Sequence, residues 1–576
     1  MLKASALFLF FFINLTLLGQ LVQEFDTLHF NDRMNGTLDS IDIVGAKLPT
    51  TFDGGLAVLS PEGLSVNQLF NHYTTPNFMA KQSWDKMSFS ALPHLGFSYT
   101  FGSQTSQFLN ARYEQSFSDS LILNVDYSRT VSLGTIRNTG FNTDNVAAQL
   151  QKLGRVYSFT LKGRFVSEKI NHSGGITTDT LIQDFGLEFT PVLKRNAFSH
   201  NKQGTVEWNN YFDFDKDSLR SFGLVTKHTY EIKNRLYTEL DTIYGLYPTV
   251  YVDSFSTRDQ YNLAGIRNGA GVFWMNKGFY IDALVDYNYW EYHNLENHKY
   301  RNEYSLQSSA YAQLNKLRLE NTFYFNLQGA FNEFSNELKA NYRLNSIELG
   351  GGIVFEKLAP TAFQRFYSSN NTLYTMNESN IKLQQWTKVN VSAKYTVSSS
   401  ISLRAFASII SMSSVYLFDG TEWGMDESQR FFSSVGVESA MKFGAFNIQP
   451  RFIYSSDKQQ FLPTIQASSR LFFKGKLFKA KKLEAAAGVD VSYISSFTTR
   501  SYNSLLDSYD FYATGNKFTD MINMNAFVNL GISEFRFYLR FENIGYLWTP
   551  KEQLVVNNYP IAGTRIRIGL TWDFFN

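Results

Sequence analysis

One pattern recurs along this chain more than any other: about ten residues of alternating apolar and polar side chains, then a break. A period of two places alternate side chains on opposite faces of a β-sheet. In LILNVDYSRTV, Leu121, Leu123, Val125 and Tyr127 are apolar, while Asn124, Asp126, Ser128 and Thr130 are polar. RVYSFTLKGRF, FYIDALVDYNYW and EFRFYLRFEN repeat the pattern. The chain closes on it, with Ile566, Ile568, Leu570, Trp572 and Phe574 alternating with Arg565, Arg567, Gly569, Thr571 and Asp573. The spacing predicts about 22 such strands between residues 94 and 575, an even number in the range of about 16–22, each near the length a tilted membrane strand requires.

The breaks carry a second signal. Short ones such as FSDS, DKDS, NKG and GISE alternate with long ones such as 169–199, 233–261, 358–382, 413–429, 497–518 and 547–562. Membrane barrels have short turns at one end and longer loops at the other, whereas a soluble stack of β-domains has no reason to keep that asymmetry. Mean hydropathy is negative. After the N-terminus no apolar run approaches the roughly 20 residues of a spanning helix. The expected fold is therefore all-β, a transmembrane up-and-down antiparallel barrel over 94–576. Its last strand should close on the first near HLGFSYTFG, because backbone groups in hydrocarbon must all be paired.

MLKASALFLFFFINLTLLGQ has a basic residue, a dense apolar stretch and a small residue before Gln20, the pattern of a secretory signal peptide over 1–19. Residues 20–93 lack the dyad pattern and are expected to form a periplasmic lead-in or a short luminal segment. These features place the protein in the outer membrane of a Gram-negative bacterium.

Charge balance, 53 basic against 51 acidic residues, gives no hint of nucleic acid. With 0 cysteines, thiolate metal sites, cysteine nucleophiles and disulfides are excluded. The eight histidines, His29, His72, His94, His172, His200, His228, His293 and His298, include no zinc-type i,i+4 pair. The closest two, His293 and His298, read as solvated residues of an outer loop. There is no Gly-x-Ser-x-Gly elbow, and the glycines near Leu349 read as strand curvature. The chain thus offers no catalytic residue, no metal ligand set and no cofactor site.

Charged residues on the polar phase form the remaining constellation. The basic ones are Arg112, Lys162, Arg164, Lys339, Arg343, Lys388, Lys394, Arg404, Arg451, Arg536 and Arg540. The acidic ones are Glu114, Asp126, Glu207, Asp213, Asp282, Asp286, Glu320, Glu337, Glu484, Asp490 and Glu542. A charge facing lipid costs ~2–4 kcal/mol at the midplane, so these are expected to line a pore. The structural alternative is a wall of mutually satisfied ion pairs. The two signs are equal in number, which argues against a strong preference for either ion sign.

FLNARYEQSFSDSLILNVDYSRTVSLG, NTDNVAAQLQKLGRVYSFTLKGRF, INHSGGI and the terminal RIRIGLTWDF, in this order, resemble the porin family of Bacteroidota-type outer-membrane β-barrels. The resemblance implies an outer-membrane location and passive diffusion of small hydrophilic solutes. It supplies no catalytic residue. The partners expected on this reading are outer-membrane lipid, the barrel-insertion machinery, small polar solutes and, as in many porins, further copies of the chain in a homo-oligomer. A competing reading is the barrel of a TonB-dependent-type uptake receptor, since LRFENIGYLW resembles the Glu-Asn strand of such receptors. Residues 21–93 are too few for their full plug. A third reading is a non-transporting outer-membrane scaffold or adhesin that uses the long loops.

Overall fold

A computed structural model describes residues 92–575 apart from 119, 216–219, 241–246, 248, 330, 419–421, 510–515 and 549–552. The expected signal peptide, and all but the last two residues of the expected lead-in, lie outside the described residues.

Twenty-two strands form one ring: β1 (His94–Gly102), β2 (Gln107–Ser118), β3 (Leu121–Ser132), β4 (Phe141–Lys152), β5 (Tyr157–His172), β6 (Ala197–Asp213), β7 (Arg220–Glu239), β8 (Thr257–Asn276), β9 (Phe279–His293), β10 (His298–Leu314), β11 (Leu317–Gln328), β12 (Phe334–Leu344), β13 (Ile347–Leu358), β14 (Gln384–Ser398), β15 (Ile401–Phe418), β16 (Arg430–Phe443), β17 (Phe446–Asp457), β18 (Ile465–Leu477), β19 (Leu483–Ile494), β20 (Met521–Ile532), β21 (Phe535–Glu542) and β22 (Arg565–Phe575). Each pairs antiparallel with its sequence neighbour, and β22 returns to β1 with His94 opposite Phe575 and Gly102 opposite Arg567. Closure removes the unpaired edge that hydrocarbon cannot satisfy. A short strand, Trp423–Asp426, extends β15 beyond the ring.

In an antiparallel pair, directly opposite residues share a face, so a face can be traced around the ring. Ile566, Ile568, Leu570 and Trp572 stand opposite Phe541, Leu539, Phe537 and Phe535 of β21. On the other side Ile568, Leu570, Trp572 and Phe574 meet Phe101, Tyr99, Phe97 and Leu95 of β1. The same face carries the exposed side chains of Phe165, Leu224, Val285, Ile353, Val391, Val435 and Val528. A predominantly apolar belt around a closed sheet, crossed by a few polar pairs such as His228–Asn268 and Asn321–Asn336, faces lipid. Aromatic pairs flank the belt at the turn end: Tyr157 with Phe212, Trp274 with Phe279, Phe446 with Phe473 and Phe535 with Trp572. Replacing Ile568 by arginine is expected to lower barrel stability by ~2–4 kcal/mol. Urea titration of the barrel in lipid vesicles reads this, and an unchanged midpoint would contradict the assignment of the outward face.

At the turn end, two-residue connections between long strands need backbone that most residues avoid. Asn315, Asn345, Gly444 and Ser533 all take positive φ there, between 49° and 62°, which matches the right-handed twist of the flanking strands. The loop end corrects the sequence reading in two places. The expected loop 233–261 gives up both its ends to strand, since β7 runs to Glu239 and β8 begins at Thr257, which leaves 240–256 as the loop. Above the apolar belt both faces are polar, as in Lys233, Asn234 and Arg235, so the ladder continues after its alternation has vanished. For the same reason His293 and His298 are opposed strand ends rather than loop residues. The His298 ring lies 2.5 Å from Glu291.

Candidate functional site: the inner wall and its cap

Pairing carries the second face around the ring as consistently as the first. Gly96 stands opposite both Asp573 and Arg112, and Arg112 opposite Asp126. Lys162 opposes Glu207, and Arg164 lies in the next register position on the same face. Asp213, Asp282 and Asp286 continue it through β6 to β9, and Glu320, Glu337, Lys339 and Arg343 through β11 and β12. Lys388, Lys394, Arg404, Arg451, Glu484, Asp490, Arg536, Arg540 and Glu542 complete it. All of these charges share one face, opposite the apolar belt.

Their surroundings differ. Glu114, Asp126, Asp282, Asp286, Arg540 and Glu542 are buried, while the others keep part of their surface open. Most are paired along the wall: Arg112 with Asp126 at 2.9 Å, Lys227 with Asp282 at 2.8 Å, Lys339 with Glu337 at 2.9 Å. Lys227, Glu438 and Arg470 belong to these pairs and were not singled out from the sequence. The strand phase of RFFSSVGVESAMKF contains the signal for Glu438, which shares parity with Ser434 and Gly436.

The closing seam concentrates charge. The Glu542 carboxylate, 1% exposed, lies 2.9 Å from Arg567, 3.5 Å from Arg565 and 3.9 Å from Arg540. Lower on the seam, the buried His94 ring lies 3.2 Å from both Glu114 and Asp573. Its two nitrogens serve different carboxylates, so this is a bridge between strands and not a ligand set for one ion. Among the described residues no group of three or more His, Cys, Asp or Glu gathers in metal-binding geometry.

Above the wall the loops fold inward and form a cap with its own core. Ile176, Ile182 and Val192 of the 173–196 loop pack with Phe497 and Phe518 of the 495–520 loop and Val555, Tyr559 and Ile561 of the 543–564 loop. A second cluster joins Phe363, Tyr367 and Met376 of the 359–383 loop to Tyr416, Trp423 and Leu506. Leu505 meets Ala197 and Tyr237. The tip of the 495–520 loop therefore crosses the mouth from β19 to the side of β6 and β7.

Polar side chains fix this crossing. The Lys194 ammonium donates to the Tyr237 hydroxyl at 2.8 Å, to Glu239 at 3.0 Å, to the Tyr247 hydroxyl at 2.7 Å and to Ser504 at 3.3 Å. Arg235 donates to the Ser504 carbonyl. Asn370 clamps the 240–256 loop: its side-chain oxygen accepts from the Val252 and Asp253 amides, and its side-chain nitrogen donates to the Asp253 and Ser256 carbonyls. Arg365 stacks on Trp290 and Phe331 beside Arg301, and burial lowers its guanidinium to about 10.

Asp507, at the crossing tip, accepts from the Tyr502 hydroxyl at 2.6 Å, yet burial raises its pKa. A carboxyl whose folded pKa is raised contributes most below its ordinary value and loses that contribution as pH climbs through the raised one. The cap should accordingly be tightest in acid and loosen as pH rises. Asp507→Asn is expected to flatten this dependence, read as protease cleavage of the 495–520 loop across pH. A steeper profile would contradict it.

The same barrel architecture recurs among solved structures. A double mutant of the ferric enterobactin receptor PfeA from Pseudomonas aeruginosa superposes with a TM-score of 0.60, covering 85% of this chain and 81% of that one at 10% identity. The FrpB iron transporter from Neisseria meningitidis gives 0.57 over 84% and 82% at 10% identity. The siderophore receptor PirA from Acinetobacter baumannii gives 0.58 over 85% and 81% at 10% identity. At such identities the likeness is one of fold. No curated protein matches the chain. A family model described as "Putative porin" matches residues 59–576.

Proposed function

The chain belongs to that porin family, and on this premise we propose that it is a Gram-negative outer-membrane porin passing small hydrophilic solutes by diffusion. The observation that carries the reading is the inner face: a ring of mostly charged and polar side chains, with apolar patches such as Val225–Phe273–Leu284 and Phe472–Phe527, inside a closed 22-strand barrel. Barrels of this size enclose either an aqueous channel or a plugged lumen. With the short turns on the periplasmic side, as in bacterial barrels generally, the cap faces outward and narrows the outer mouth. Solutes pass where the cap leaves room or when its loops move. The reading asks for no catalysis; transport is the property that the family and the similar solved barrels have in common.

A second reading rests on the cap and on the solved receptors of similar fold: an uptake barrel of the TonB-dependent type whose plug is supplied elsewhere. Single-channel recording on the mature chain, and on a version lacking residues 21–93, separates the two. Stable ohmic steps from the mature chain support the porin. Steps only after truncation make the N-terminal segment a plug. Silence from both, with a folded barrel, rejects the porin.

A further inference from the structure

The charges on the inner wall are balanced in number but not in place. On β11 and β12 each acid serves one base: Arg318 meets Glu320 at 2.7 Å and Lys339 meets Glu337 at 2.9 Å. Between β15 and β21 two acids each serve two bases, while Lys476 and Glu484 pair singly at 3.7 Å and Glu348 stands opposite Lys394. Glu438 lies 2.9 Å from Arg404 and 3.4 Å from Arg451, and Lys394 stands directly opposite Arg404 on the neighbouring strand. Asp490 is shared in the same way by Arg470 at 2.6 Å and Arg540 at 2.7 Å. This side of the lumen therefore carries a surplus of positive charge.

The surplus is also oriented. Arg404 and Arg451 both stack on the ring of Phe406, with guanidinium carbons 5.1 and 5.7 Å from its centroid. Gly436 makes the room, since a Cβ there would come within 2.4 Å of that ring. Stacking below and a shared carboxylate between them hold the two guanidinium planes, while 37% and 32% of their side-chain surfaces stay open to the lumen. Fixed, partly open guanidinium forks match oxyanions in two-point geometry. Sites that hold an ion only partly are those that let it leave again.

Resting on the porin reading, we propose that Lys394, Arg404 and Arg451 form an anion-selecting site that favours solutes bearing carboxylate or phosphate groups. The site concentrates anions along one wall of the lumen.

The test is the reversal potential of the reconstituted full chain under a KCl gradient, followed by addition of inorganic phosphate. The wild type is expected to prefer chloride several-fold over potassium and to show phosphate-dependent current reduction. Arg404→Ser with Arg451→Ser should bring the preference toward unity and abolish the phosphate effect. Lys394→Glu, at an exposed position that folding tolerates, should shift it in the same direction. Arg129→Ser with Asp144→Ser, an opposed pair on the outer face of β3 and β4, should change neither. Conductance without anion preference, or a preference that survives these variants, overturns the anion site and leaves the porin standing. Absence of conductance, in the mature chain and after removal of residues 21–93, overturns both.

Discussion

Lys194→Met is expected to open the cap while leaving the barrel intact. The ammonium is almost fully buried and, among the described residues, is the one group that reaches Tyr237, Glu239, Tyr247 and the crossing Ser504 together. Its removal leaves Glu239, 1% exposed, as a buried charge without its cation. Breaking a buried pair in this way costs ~3–5 kcal/mol. The cost falls on the loops, because the strands around Glu239 keep their ladder bonds. A bias of ~3 kcal/mol shifts a closed-to-open ratio by about a hundred-fold. Conductance should rise, and the loop should become accessible to trypsin at the buried Arg500. The heat-dependent gel shift of the folded barrel should stay as it is. Adding Glu239→Gln should recover part of the closure, since the orphaned charge is then gone. Unchanged conductance and proteolysis in Lys194→Met would show that the cap does not depend on this clamp.

Glu542→Gln should act on the other part of the molecule. Its carboxylate is the shared partner of Arg540, Arg565 and Arg567 at the seam where the last strands meet the first. Neutralising it leaves buried guanidiniums facing one another across β21 and β22. The expected loss is again ~3–5 kcal/mol, this time in closure of the ring. The variant should unfold at lower urea concentration and lose its heat-dependent gel shift at lower temperature. Replacing Arg565 by Met in the same chain should restore part of the loss by lowering the surplus charge. A single variant as stable as the wild type would mean that water, not the carboxylate, holds these arginines.

The two variants separate what the residue pattern reveals from what it hides. The strands could be read because each side chain between Leu121 and Tyr127 must satisfy lipid or the lumen in turn, and those two solvents demand opposite chemistry. The same logic put Glu542 and Arg540 on the inner face. It stops where the lipid stops: the upper halves of β7 and β8 have polar residues on both faces and carry no period. The cap has no period at all. Lys194 and Ser504 are 310 residues apart, and no local spacing announces their contact. A compositional hint did exist, because TAFQRFYSSNNTLYTM is too rich in Phe, Tyr and Met for a solvated loop. Charge placement was hidden for another reason. Counting signs along the chain does not reveal that the shared acids Glu438 and Asp490 fall on one side of the circumference.

Return of β22 to β1 places the two ends of the barrel side by side on one seam, His94 across from Phe575. A ring of strands has no first member except by the accident of where the chain is cut. Joining the ends with a short linker and reopening the chain at another turn, such as Asn345–Ser346, should therefore yield the same barrel from a circularly permuted gene. In such a permutant the seam arginines would lie in the middle of the sequence, and the order in which the wall is made would change without changing the wall.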